Sequence, residues 1–225
     1  YFGGLAFAVV VGLVGTIGLL EWGRITGAMQ PEWLRIGAVV LLALGLLLLA
    51  LGRPDWAIAL IAVPAVLALV AGARLRASFW TGLGLAYVGV PSAALIVLRE
   101  SGSSGWTSVL FILLVVWATD IGAYFGGRRI GGPKLWPRVS PNKTWSGALT
   151  GVVAALVAGA VTVLLTGAGD LATGLLVAAP LSTASQAGDL LESALKRRFG
   201  VKDSGHVIPG HGGVLDRVDG LFGAA

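Results

Sequence analysis

The sequence predicts an all-α, polytopic integral membrane bundle of about seven to eight transmembrane helices, with a polar site at the cytoplasmic interface. Three observations predict it. The 225 residues are 56% hydrophobic and only 12% charged, about half the charge of an ordinary soluble domain. Several apolar runs approach or exceed the ~18 residues that cross a hydrocarbon core roughly 30 Å thick. Those runs are continuous rather than alternating, which argues against a membrane-spanning β-barrel.

The elements follow in order. Spans are expected at about 3–20, 36–51, 56–72, 79–98, 106–127, 147–166 and 171–195, with room for an eighth from Val218. The spans before residue 100 are nearly pure Leu, Ala, Val and Gly, with small-residue spacings such as Gly12, Gly15 and Gly18. Such spacings make helix-packing faces. Residues 1–100 are therefore expected to be scaffold, with a face that permits a homodimer, and residues 101–225 to carry the site. The first apolar run has no basic leader, so no cleavable signal peptide is expected. The start at Tyr1 and the end at Ala225 suggest a trimmed chain.

The basic residues give the topology. With the N-terminus outside, the inside loops are 21–35, 73–78, 128–146 and 196–217. They hold fourteen of the sixteen Lys and Arg residues, leaving only Arg53 and Arg99 outside. That asymmetry satisfies the positive-inside rule. The net charge of +5 thus lies on one side, which favours anionic lipid and phosphate partners over nucleic acid. The absence of Cys excludes disulfides and thiolate metal sites.

Three segments carry unusual chemistry. Asp120 sits in WATDIGAYFGGRR inside the fifth apolar span. An ionisable group at membrane depth needs a polar cavity or a cation, unless it lies near enough to the interface to be solvated. The loop 128–146 is basic and rich in Pro and Gly, and it contains SPNKT, Ser140 to Thr144. One reading is a juxtamembrane loop touching anionic headgroups. The other is a phosphate site, in which Ser140, Asn142, Lys143 and Thr144 act together with the amides of a helix start. The P-loop pattern is absent.

The third segment, SALKRRFGVKDSGHVIPGHGGVLDRVD, runs from Ser193 to Asp219 and follows QAGDLLE. Asp189 and Glu192, three apart, share a helical face, and Lys196 follows Glu192 in the favourable i,i+4 order. An interfacial helix end with ordinary ion pairs is the plain alternative. Gly205, Gly210, Gly212 and Gly213 let backbone N–H groups approach phosphate oxygens. Lys196, Arg197, Lys202 and Arg217 can add charge-assisted bonds to a polyphosphate. Asp216 and Asp219 share a face if the next helix starts there, and hard carboxylates beside phosphates are the usual Mg²⁺ environment. His206 and His211 are too few for a zinc site and suit a phosphate contact or a loop hydrogen bond.

At these residues the chain resembles the phosphatidate cytidylyltransferase (CDP-diacylglycerol synthase) family. Ser193–Asp219 is similar to its C-terminal signature, and WATDIGAYFGG, SPNKTW and GDLLES resemble further motifs in the expected order. Motif coverage runs from about residue 117 to 219; the first hundred residues match only in hydropathy. The resemblance implies a membrane enzyme that condenses CTP with phosphatidic acid, giving CDP-diacylglycerol and pyrophosphate with Mg²⁺. It implies a paired cation site at Asp189 and Asp216, the second cation's identity being open. Asp120, Lys143, Lys196, Lys202, Asp203, His211, Arg217 and Asp219 fall at characteristic positions. Ser146 stands where the family commonly has an acidic residue, which leaves no carboxylate role there. The short form points to a bacterial inner membrane with the active site facing the cytosol. A CTP-dependent lipid or polyprenol kinase, and an ion-coupled transporter, are the competing readings. No residue is singled out as reading cytosine.

Overall fold

The computed structural model describes residues 4–71, 76–205, 207 and 212–225. Eight α-helices and one small hairpin occur among them. The order is α1 (Gly4–Thr26), α2 (Glu32–Ala50), α3 (Pro54–Ala71), α4 (Arg76–Arg99), α5 (Gly105–Ile130), β1 (Lys134–Trp136), β2 (Ser140–Thr144), α6 (Trp145–Thr166), α7 (Leu171–Arg198) and α8 (Leu215–Ala224). Five segments are long and apolar enough to cross a membrane: Gly4–Thr26, Glu32–Ala50, Phe79–Arg99, Gly102–Ile130 and Trp145–Thr166. Many of their large side chains face outward, among them Leu13, Val40, Val97, Trp117 and Leu164. That is the pattern of a bundle solvated by lipid, and the chain is a polytopic helical membrane protein.

Two of the seven expected spans fall short of those five. The apolar part of α3, Pro54–Ala68, is shorter. The 28-residue α7 is long enough, but Ser182, Thr183, Ser185 and Gln186 dilute its apolar character. In the other direction, α1 runs past its expected end near residue 20, because Glu21 is buried and bonded rather than solvated. The loop predicted at 128–146 contains a hairpin, with Lys134 opposite Thr144 and Trp136 opposite Ser140. A three-residue strand beside Pro137 offers too little alternation to be read from sequence.

Contacts divide the chain into two compact units, residues 1–101 with 199–217, and residues 102–198 with 218–225. In the first, Leu19, Trp22, Leu42, Leu46, Val88 and Ile96 are buried. Trp22 donates its indole N–H to the Trp80 carbonyl at 2.8 Å and stacks on Tyr87 at a centroid distance of 5.1 Å. The ring of Trp80 meets Phe199 edge-on at 4.9 Å, which ties α4 to the segment after α7.

In the second unit, α5, α6 and α7 enclose Val115, Ala155 and Ala178, with Phe111, Leu156 and Leu181 packed around them. Small residues let α5 and α6 close up. A Cβ on Gly122 would fall 2.5 Å from the Ala154 Cβ and 2.9 Å from the Thr150 carbonyl oxygen. Side-chain hydrogen bonds then set the third helix. Thr119 of α5 lies 2.8 Å from the Ser182 hydroxyl, and Gln186 of α7 donates to the Ala148 carbonyl at 3.3 Å. Helix ends are closed locally. The Thr144 hydroxyl accepts the Gly147 N–H at 3.1 Å and caps α6. Asp170 accepts the Thr173 N–H at 2.9 Å at the start of α7. The Thr173 hydroxyl and amide hold the Asp170 carboxyl below its ordinary value.

Candidate active site

A cavity of about 650 Å³ opens within the second unit. Asp120, Tyr124 and Arg128 reach it from α5, and Lys134, Asn142 and Lys143 from the hairpin. Gln186 and Asp189 reach it from α7. The sequence-predicted Asp120, Asn142, Lys143, Thr144 and Asp189 therefore meet on one wall system. Tyr124, Arg128, Lys134 and Gln186 were not singled out from sequence. The signal for Arg128 and Lys134 was their place in the basic inside loop.

Lys143 and Asp189 form an ion pair across 46 residues of sequence. Each side chain is about a third exposed, 29% and 31%, so the pair is hydrated enough to exchange partners and its net contribution is small. Lys143 owes its position to its neighbour, since Thr144 is the buried cap of α6. Ser146 is occupied with the Gly131 carbonyl and the Thr144 hydroxyl. Ser140 stands opposite Trp136 at the far end of the hairpin.

Further along α7, the fully buried Glu192 pairs with Lys196 at 3.1 Å in the predicted i,i+4 relation. Arg197 lies exposed at the helix end. Asp219 of α8 is largely buried. Burial first, and the negative charge of Asp189 second, push its carboxyl up to about 7. The Gly220 N–H, Lys196 and Lys143 oppose that rise.

The loop of the first unit has its own geometry. Lys202 and Asp203 are exposed, and Ser204 is buried. The Asp216 Oδ2 accepts the Ser204 N–H at 2.9 Å and the Gly213 N–H at 2.8 Å. The Gly213 amide, expected to face a phosphate, is thus bonded to the chain's own carboxylate. Gly212 makes the turn, with a φ of +84° that a side chain would strain. Arg217 is exposed one residue past Asp216. His206, Gly210 and His211 lie outside the described residues. Glu21 of α1 also meets this loop, and its position at the polar end of the first apolar run gave no sequence signal for that.

Among the described residues, no three His, Cys, Asp or Glu gather into a metal cage. The donors that do occur are carboxylate oxygens beside lysines, without sulfur. That chemistry fits a hard cation such as Mg²⁺, which uses one or two carboxylates and fills its shell with water and substrate phosphates.

Apolar helices around a cavity lined by carboxylates, lysines and an arginine define an integral membrane protein with a polar site. The Cytidylyltransferase family model matches residues 1–225, and the chain belongs to that family. The chain is 41% identical over 235 residues to the phosphatidate cytidylyltransferase of Brucella suis biovar 1, covering 99% of this chain and 83% of that protein. It is 42% identical over 224 residues to the phosphatidate cytidylyltransferase of Brucella melitensis biotype 1, with the same coverage of 99% and 83%. Against the phosphatidate cytidylyltransferase of Bacillus subtilis it is 43% identical over 144 residues, 62% of this chain and 52% of that protein.

Proposed function

We propose that the protein is a phosphatidate cytidylyltransferase, converting CTP and phosphatidic acid into CDP-diacylglycerol and pyrophosphate. One observation carries the reading, the match over 99% of the chain to relatives of that name. The cavity supports it, because Lys143 and Asp189 pair there on elements whose motifs, SPNKT and GDLLES, resemble that family's.

A phosphate oxygen of the lipid attacks the α-phosphorus of CTP. The new P–O bond forms there as the bond to the bridging oxygen breaks, and pyrophosphate leaves. Both reactants are polyanions, so neutralising charge is the main task. Lys143, Arg128 and Lys134 line the cavity and supply cations. Lys196, Arg197, Lys202 and Arg217 extend that basic character toward β- and γ-phosphates, with Ser140, Asn142 and Thr144 as hydroxyl and amide contacts. Asp203, His211 and Gly212 complete the proposed binding set, while the Gly213 amide is committed to Asp216. Asp120, on the cavity wall, and Asp219 would add further carboxylates to the catalytic set. Mg²⁺ would be held by Asp189 and Asp216 and would supply charge neutralisation at the phosphates. No covalent enzyme intermediate is required, since the nucleophile is already a phosphate oxygen. The asymmetry of the basic loops supports a site that faces the cytosol at a bacterial inner membrane, with the N-terminus outside. The Gly-rich helices of residues 1–100 offer the face for a homodimer.

The experiment is pyrophosphate release in detergent–phosphatidate micelles with Mg²⁺ and CTP, with no-lipid and Asp216→Asn controls. Asn keeps an oxygen for the Ser204 and Gly213 amides while removing the charge, so the variant should stay folded and lose turnover. Wild-type activity in Asp216→Asn would sink the metal assignment. CDP in place of pyrophosphate would mark a kinase instead.

A further inference from the structure

Glu21 lies in α1, in the part of the chain expected to be scaffold, and it is 1% exposed. A carboxylate withdrawn from water needs donors that replace the lost hydration. Among the described residues Glu21 has three, from the loop and the first residue of α8. The Ser204 hydroxyl donates to Oε2 at 3.1 Å, the Leu215 N–H to Oε2 at 2.8 Å, and the Val214 N–H to Oε1 at 3.0 Å. Val214 and Leu215 open α8, where backbone N–H groups have no partner inside the helix. A negative charge is favoured there as well. Helix starts are commonly capped by an adjacent residue; here the acceptor lies 194 positions away from Leu215.

The glycines of the loop fit this contact. A Cβ on Gly205 would fall 2.6 Å from Glu21 Oε1, and one on Gly213 would fall 2.6 Å from both carboxylate oxygens. Asp216 binds the same loop from its other side, through the amides of Ser204 and Gly213. Segments 203–205 and 212–216 are thus held between two carboxylates, one from α1 and one from α8.

We infer that Glu21 is a positioning residue for the cytidylyl-transfer site, fixing the start of α8 and through it Asp216. The catalytic half of this inference rests on the proposed function; the structural half does not. Two variants of the full chain test it, Glu21→Gln, which removes the charge and one acceptor oxygen, and Gly205→Ala, which keeps the charge and crowds it.

In Glu21→Gln, amide hydrogen exchange at residues 213–217 should speed at least tenfold while α5 and α6 exchange as before. In the same variant, kcat for pyrophosphate release should fall at least tenfold with KM for CTP within threefold. Gly205→Ala should give the same pattern in milder form, and it carries the test if Glu21→Gln does not fold. Unchanged exchange at 213–217 in the folded variants overturns the inference. So does a lower melting temperature with an unchanged kcat per folded molecule, which is what a purely structural role predicts. If the wild type releases no pyrophosphate, the function falls, and the exchange measurement still decides whether Glu21 holds the loop.

Discussion

Lys143 is the residue whose removal should be felt soonest, because it is the cation that Asp189 pairs with at the cavity wall. Lys143→Ala should lower kcat/KM for CTP at least tenfold, and an unchanged profile would take the hairpin out of the site. Asp219 supplies a second test at this scale. Its carboxyl binds a proton more tightly folded, at about 7, than at the ordinary 3.8. Its contribution to stability is therefore full below the ordinary value and is lost as pH rises through about 7. In chelator-treated protein, the melting temperature should fall between pH 5.5 and pH 8, and Asp219→Asn should flatten that fall. A slope that survives in the variant would assign the titration elsewhere. Asp120, Lys143 and Asp189 were legible in the sequence because a charge inside or beside an apolar run needs a reason. Glu21 was not, since a glutamate just past an apolar run looks like an ordinary solvated end.

At the scale of elements, the hairpin and α6 form one device. Thr144 ends β2, caps α6 and follows Lys143 directly. Thr144→Ala should cost about 1 kcal/mol, the usual worth of such a cap. For a chain of this length that corresponds to a melting temperature lower by roughly 2–4 °C. The variant should also lower activity beyond its loss of folded protein, because Lys143 sits on the freed end. Equal losses of activity and folded protein would separate the cap from the site. Helices α1, α2, α4, α5 and α6 were readable from hydropathy alone. The hairpin was not, because its pairing depends on α5 and α6 holding its two ends. The polar side chains of α7 make it a weak span by composition and a good wall for the cavity.

At the scale of the whole molecule, the distribution of basic residues makes the orientation testable. The chain has no Cys, so single cysteines report cleanly. Ser103→Cys, in an expected outside loop, should react with a membrane-impermeant maleimide in intact cells. Arg138→Cys should react only after permeabilisation. The reverse result would invert the topology and move the site to the other face. The sequence motifs lie almost wholly after residue 117, yet the loop that carries the last of them is bonded to the first helix. Motif reading finds residues that chemistry makes unusual, and it passes over those whose work is done through packing.

The bond between Glu21 and the start of α8 also bears on how the protein is made. The first helix leaves the ribosome long before Ser204, Val214 and Leu215 are synthesised. Until then its carboxylate has none of these donors and must stay hydrated or be shielded by the insertion machinery. The loop thus completes a helix made about 180 residues earlier, and a nascent chain halted before residue 214 would carry an unanswered charge that quality-control proteases could recognise.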